Sequence, residues 1–552
     1  MKRRDFVKTV AMSGMAIAAS DSIADLIAQS PKGRVLESKF KGLSDIALAE
    51  AKRLGCTYAD IRFTRNANSG VNASGGNRDA SEAAGFGGGR GGGGGRGGGR
   101  GGAFGGGNAG AGAGSREAAG FGVRVIHSGV WGFASSPIVT EDEIRRITRV
   151  AGEVAKAGAI AKKTDVRLAP VPAYTDYWVT PMQKDPSSVP QTEKQALVQK
   201  VVDLAVANKE VLTVNASISL EHEWKYFASS EGSYIEQEIY TTMPSFSVTA
   251  RKNGETRSRT FTGVPGTGGW EIAEAAGMID SAERIAAEAV EYCTAKPVEM
   301  GLRDLVLTPS HAMLTIHEIV AHATELDRIL GYEANYAGTS FVKISDLGKL
   351  KYGSKLFNVT ADRTIPKGVA TVGYDDDGVK TQEWPLVRDG ILVGLQTNRE
   401  SAHFIGEKTS RGCTSANSWR DYPFLRMPNV HVDAGPAGSP TPDEIIADTK
   451  DGVMIDGRGS YSIDQQRYNG QFGGNAFWEI KNGKRTRMVA NVTYNAITTD
   501  FWGNLDAISG KESWQMFGTG GDAKGQPTQT NSISHGSPWL RIRKIMVGAA
   551  FA

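Results

Sequence analysis

Cysteine is scarce in this chain: three residues in 552, Cys56, Cys293 and Cys413. Three scattered thiols cannot build a disulfide framework and leave at least one thiol free, so the fold must be held by an ordinary core. Net charge is nearly absent, since 63 Lys and Arg meet 60 Asp and Glu for a formal balance of +3. No strong global field draws the chain to nucleic acid or to an anionic membrane surface. No apolar run reaches the roughly 20 residues of a membrane-spanning helix. The chain has no Gly-x-Ser-x-Gly elbow, so serine-nucleophile chemistry has no support. The Gly-rich stretch Gly518 to Pro527 lacks the Gly-Lys-Ser/Thr ending of a phosphate loop.

What is present begins with an address. Lys2-Arg3-Arg4-Asp5-Phe6-Val7-Lys8, followed by the short apolar run Thr9 to Ala19, resembles a twin-arginine export signal, with residues 1–30 as signal and leader. Export to the periplasm is the expectation. Glycine is abundant, and it clusters: residues 85–114 are mostly Gly, with Arg90, Arg96 and Arg100 interspersed. Such a stretch buries too little apolar surface to offset its ordering entropy, so an insertion at about 73–115 is expected to be a disordered, solvated spacer. Three Arg-Gly-Gly-type arginines are weak grounds for RNA binding, and no nucleic-acid partner is expected.

The length calls for two domains, and the fold class expected is α+β. An N-terminal domain over 36–296 shows an amphipathic helix at Ser44 to Leu54, a strand at Tyr58 to Phe63, and a hairpin of Phe121 to His127 with Val130 to Ser135 around Ser128-Gly129. Thr140-Glu-Asp-Glu143 reads as a capping box that opens a helix with Ile144, Ile147, Val150 and Val154 on its apolar face. Helices at Glu193 to Asn208 and Glu271 to Glu291, with strands at Leu212 to Leu220 and Glu236 to Ala250, complete helices against a mostly antiparallel sheet. Lys252-Asn-Gly254, Arg388-Asp-Gly-Ile and Lys481-Asn-Gly-Lys are hairpin turns. A β-rich C-terminal domain over 297–552 starts with a strand at Asp304 to Thr308, after which Ser310 can cap a helix.

That helix carries the densest chemistry in the chain, Thr315-Ile-His-Glu-Ile-Val-Ala-His-Ala-Thr-Glu325. In the common zinc-peptidase helix the two histidines stand four residues apart, about 40° around the axis. His317 and His322 stand five apart. On a regular helix they would diverge by about 140°, too far to share an ion. A π-bulge at Val320 to Ala321 would restore a common face, and such bulges concentrate at functional sites. Two imidazoles, a third ligand and a carboxylate base are what metal-assisted amide hydrolysis requires, and Glu318 is placed to take a proton from the attacking water. Glu325 can orient His322 or bind metal itself. Cys413 lies in the loop-like Thr409 to Asn417, with a small buried hydrophobe as its ordinary role. Asp375-Asp-Asp-Gly378 lacks the alternation of a calcium loop and reads as a turn, and His222, His403 and His431 have no motif around them.

From about Leu43 to the end, the chain resembles the TldD/PmbA family of metallopeptidases. The matching segments are Phe121-Gly-Val-Arg-Val with Trp131-Gly-Phe-Ala-Ser-Ser, His317-Glu-Ile-Val-Ala-His with Glu325 and Asp327, and Tyr374-Asp-Asp-Asp-Gly-Val. Arg388-Asp-Gly-Ile-Leu, Arg426-Met-Pro-Asn, Ala523-Lys-Gly-Gln-Pro and Leu540-Arg-Ile follow. The resemblance implies a C-terminal domain that binds zinc and cleaves peptides or unfolded segments, as a homodimer or beside a related subunit that lacks the ligands. It also implies a third ligand from a Cys-Gly-Lys motif, but here Asp522 stands where that Cys would be. Two His and one Asp remain a workable zinc set, and a harder carboxylate admits Mn2+ or Fe2+. His535, Cys413 and Glu325 are the alternative ligands. The other functional expectation is a catalytically inactive, peptide-binding or partner-stabilising subunit that kept the helix.

Overall fold

The computed structural model describes residues 22–77, 116–525 and 527–549. The basic start of the chain and the Gly/Arg run at 85–114 lie outside the described residues.

The N-terminal half is built on an eight-stranded sheet, ordered Val130–Ser136, Arg116–His127, Tyr58–Gly75, Val211–Ser229, Tyr234–Lys252, Thr175–Val179, with two further strands on the flank of Tyr234–Lys252. Every pairing is antiparallel except that of Thr175–Val179. Side chains alternate along a strand, and here the alternation separates two buried faces. Ile61, Phe63, Val71 and Ala73, with Val214, Ile218, Trp224 and Tyr226 of the next strand, point to the face covered by the helices Lys39–Arg53, Glu141–Gly158, Gln191–Val206 and Met278–Tyr292. Asp60, Arg62 and Lys225 point the other way, against the C-terminal half.

Local details depart from the sequence reading for physical reasons. The strand at Tyr58 continues to Gly75, in register as far as Gly75↔Val214, so residues 73–75 belong to the sheet and not to the insertion. The insertion then joins two adjacent antiparallel strands and interrupts no core. Helix Ile23–Ala28, inside the stretch assigned to the leader, packs Ile23 and Leu26 into the core between the sheet and the helices Lys39–Arg53 and Glu141–Gly158. Thr140 accepts from the Glu143 N–H, but the Glu143 carboxylate turns to Ser136 and Arg146, so the capping box is half made. The buried face of that helix is Ile144, Ile147, Ala151 and Ala155, whereas Val154 is 47% exposed. Small residues occupy the seam because helix and sheet nearly touch: a Cβ on Gly132 would stand 1.9 Å from Ala151 O. The helix expected over Glu271 to Glu291 is two, split where Gly277 takes φ 71°. The four short turns at 128–129, 253–254, 389–390 and 482–483 all have positive φ at both residues, as tight hairpins demand.

In the C-terminal half a ten-stranded mixed sheet and a six-stranded sheet enclose the helix Pro309–Ile316. Strand Gly301–Leu307 leads into it, running between Leu540–Ala549 and Asp451–Asp456. The six-stranded sheet ends in the adjacent strands Gln529–Ser537 and Gln515–Lys524, the latter pairing on one side only among the described residues.

The turn Asp375 to Gly378 joins the halves. Asp376 pairs with Arg62 and Lys225, while Asp377 pairs with Arg124, which also grips Asp60. All three aspartates are buried. Burial, then the neighbouring Asp377, pushes the Asp375 carboxyl up to about 7.

Candidate metal centre

Pro309 occupies the first turn of the site helix, where its missing N–H leaves no bond unmade. Thr308 is the cap residue, and Ser310, expected in that role, gives its hydroxyl to Asp456. From His317 to Ala321 the helix widens into a π-type turn in which the His322 N–H reaches back to the His317 carbonyl. The widening spans Val320 and Ala321, where the five-residue spacing calls for it. It brings the two imidazole centroids to 4.5 Å. The chain then tightens over His322–Thr324 and leaves the helix at Glu325, ψ 118°.

Asp522 arrives on the edge strand Gln515–Lys524. Its Oδ1 stands 3.4 Å from His317 Nε2 and 3.7 Å from His322 Nε2. The three prospective donor atoms lie within 4.8 Å of one another. The other carboxylate oxygen and the backbone carbonyl of Asp522 accept N–H donors from Arg426, leaving Oδ1 buried without a hydrogen bond. Burial alone would raise the Asp522 pKa, but the Arg426 guanidinium holds it below the usual carboxylate range. An ionised oxygen with no donor, aimed at two imidazole nitrogens, suits a divalent cation between them.

The hydrogen-bond network also assigns the imidazole tautomers. His535 Nδ1 lies 2.9 Å from Val430 O, a pure acceptor, so Nδ1 carries the proton and His535 Nε2 is a lone pair. His317 Nδ1, 2.9 Å from that lone pair, must then donate, which leaves His317 Nε2 unprotonated on the side of Asp522. Burial, then His317, holds the His535 pKa well down, in keeping with a neutral ring. His322 Nδ1 is 2.8 Å from Glu325 Oε2, so its Nε2 is unprotonated as well. Burial would raise Glu325, but Lys524 and then His322 keep it well below the usual range and so ionised.

Glu318, only 1% exposed, follows His317 directly, and Arg467 lies within electrostatic reach of both Glu318 and Asp522. Glu318 Oε2 accepts from Arg467 at 3.2 Å, and its Oε1 has no hydrogen-bond donor. Arg467 holds this place from a left-handed backbone, φ 61°. Of the alternative ligands, His535 and Glu325 sit behind the two imidazoles as hydrogen-bond partners. Cys413 is a fully buried core residue outside the converging group, its thiol pKa raised by burial. Sequence reasoning did not single out Arg426, Arg467 or Lys524 for the site. Lys524 had one legible signal, its place two residues after Asp522 on a strand, which puts both on the same face.

Paired imidazoles, a carboxylate and a second, donor-poor carboxylate, all buried, form the class of site that hydrolytic metalloenzymes use. Three models of the PmbA/TldA metallopeptidases match the chain in order: domain 1 at residues 111–157, the central domain at 184–294 and the C-terminal domain at 301–549. A metalloprotease of Methanothermobacter thermautotrophicus is 29% identical over 435 residues, 79% of this chain and 90% of that one. A zinc metalloprotease TldD homologue of Saccharolobus solfataricus is 22% identical over 444 residues, 78% of this chain and 90% of its own. TldE of Thermococcus kodakarensis shares the fold, with a TM-score of 0.62 at 14% identity over 92% of this chain and all of that one. The chain belongs to the PmbA/TldD family and is a metallopeptidase.

Proposed function

We propose that this metallopeptidase is zinc-dependent, hydrolysing peptides or unfolded polypeptide segments, with His317, His322 and Asp522 as metal ligands and Glu318 as general base. The observation that carries this reading is Asp522 Oδ1, ionised and buried, 3.4 and 3.7 Å from two unprotonated imidazole nitrogens. When bound there, zinc lowers the pKa of water and polarises a peptide carbonyl; Mn2+ and Fe2+ are the other ions a mixed nitrogen and oxygen set accepts. Glu318 Oε1 takes the proton of the attacking water and returns it to the leaving amine, while Arg467 holds Oε2 and fixes the carboxylate plane. His535 and Glu325 keep the ligand protons on Nδ1. Ligands and base are at most 3% exposed, so water is excluded and each electrostatic contact strengthened.

Peptide recognition by strand addition is favoured by the free edge of Gln515–Lys524, which offers backbone rather than side-chain contacts and so tolerates varied sequence. A polar cavity of about 310 Å3 lies between the two halves, lined by Asn66, Glu223, Lys225, Asn417, Gly520 and Asn531, and it reaches within two residues of Asp522. In the same reading the chain is exported to the periplasm and acts as a homodimer or beside a related subunit, which N-terminal sequencing and solution mass would test.

The central test measures metal content and peptide cleavage for wild type, Asp522→Ala and Glu318→Gln. Stoichiometric zinc in wild type, its loss in Asp522→Ala, and loss of cleavage with metal retained in Glu318→Gln support the peptidase. Metal-free wild type, or cleavage unchanged in Glu318→Gln, points instead to a non-catalytic peptide-binding subunit.

A further inference from the structure

We infer that Lys524 is a positioning residue for His322, acting through Glu325 to keep Nε2 open to the metal; the inference rests on the metal-centre reading above. Lys524 is 0% exposed. Its ammonium donates to Glu325 Oε1 and to Asp327 Oδ1 at 2.9 Å each, and lies 2.9 Å from Glu333 Oε1. Glu325 is thus held by one oxygen from behind, and the other, Oε2, is left to accept the His322 Nδ1 proton at 2.8 Å.

A competitor stands in the same shell. Arg328 reaches Glu325 Oε2 at 3.3 Å and Glu333 at 2.8 Å, and its Nη2 is 3.4 Å from His322 Nδ1. A guanidinium can only donate. Were Glu325 to turn away, Arg328 would donate to Nδ1, the ring proton would move to Nε2, and a metal could bind there only by displacing that proton. Two hydrogen-bond states of His322 are therefore built into the site, and Lys524 selects the metal-competent one by gripping Oε1. Asp327 and Glu333 hold the ammonium in place, the first by a hydrogen bond and the second as an ion pair. The strand geometry adds a coupling: Asp522 and Lys524 are two positions apart and face the same way, so one edge strand delivers both a ligand and the charge that orients another ligand.

The test uses the full chain with zinc as the probe. Lys524→Met keeps the aliphatic stem and removes the charge. Competition with a chelator should show zinc affinity weakened roughly 10- to 100-fold, the range typical for loss of a ligand's orienting partner. In the metal-free protein, 15N spectra should show His322 moving from the Nδ1–H to the Nε2–H tautomer. In a Glu325→Gln background the same substitution should cost no further affinity, because its effect passes through Glu325. A folded Lys524→Met that binds zinc as wild type does, or an effect that adds in full to that of Glu325→Gln, overturns the inference. Should neither Lys524→Met nor the milder Lys524→Gln fold, the wild-type spectrum decides: Nδ1–H on His322 upholds the proposal and Nε2–H refutes it. If wild type binds no zinc, the metal reading fails while the tautomer measurement still judges Lys524.

Discussion

Asp522→Ala separates the structural and metal-binding roles of one carboxylate. Arg426 is 1% exposed and gives two N–H contacts to Asp522, one to the carboxylate and one to the backbone carbonyl. Removing the carboxylate leaves a buried guanidinium with a single carbonyl partner, and an orphaned buried charge costs about 3–5 kcal/mol. The metal-free protein should lose stability on that scale. The second effect is linkage: zinc held at 100 times its Kd stabilises the folded wild type by about 2.7 kcal/mol, and the variant should lose nearly all of it. Arg426→Met makes the contrast, because it leaves Asp522 without its cation and with both oxygens directed at the site. There zinc replaces the missing positive charge, so zinc-dependent stabilisation should exceed that of wild type. Urea unfolding with zinc and with chelator measures all four quantities. A wild-type zinc effect in Asp522→Ala would refute the reasoning and direct the search for the third ligand to His535 or Glu325.

Glu318→Gln should retain zinc and lose peptide cleavage by roughly 10²- to 10⁴-fold, the scale of a general base; steady-state kinetics beside metal analysis checks both halves. Arg124→Met leaves Asp60 and Asp377 buried with no other ion-pair partner among the described residues, and should destabilise the junction of the two halves by about 3–5 kcal/mol, seen as earlier urea unfolding. The Asp375 carboxyl is held up to about 7 in the fold against an ordinary 3.8, by burial and then by Asp377. The folded state therefore binds the extra proton, so this contribution to stability is complete below about pH 4 and is lost as pH rises through about 7. Asp375→Asn, uncharged throughout, should flatten the slope of stability between those limits, and an unchanged slope would count against the assignment. Gly132→Val should unfold at lower urea than wild type, because its side chain would enter the Ala151 backbone.

Short-range features were legible because each depends on a few adjacent residues. Asn253-Gly254 and Asp389-Gly390 adopt the left-handed pairs their types favour, and the five-residue spacing of His317 and His322 demanded a wide turn that appears at His317–Ala321. Errors came where packing distance decides. Val154 fits a helical apolar stripe but faces solvent, since the helix turns Ala151 and Ala155 onto Gly132, where the backbones nearly touch. Ser310 is a good cap by type, yet Asp456, 146 residues away, takes its hydroxyl.

The sequence by itself determined the chemistry on offer: two histidines and a glutamate on one helical stretch, an aspartate at 522, and the motifs that place the chain in its family. It determined the alternation that gives the N-terminal sheet one apolar and one charged face. Only the tertiary structure decided what those groups meet. Asp522 lies 200 residues beyond His322, and sheet order brings it within 3.7 Å of that ring. The same folding puts His535 behind His317, Lys524 behind Glu325, and Asp376 against Arg62 and Lys225. Local propensity acts over a few bonds, whereas strand pairing and burial bring together groups hundreds of residues apart. At that range, desolvation and charge fix which nitrogen carries a proton and which oxygen is left for a metal.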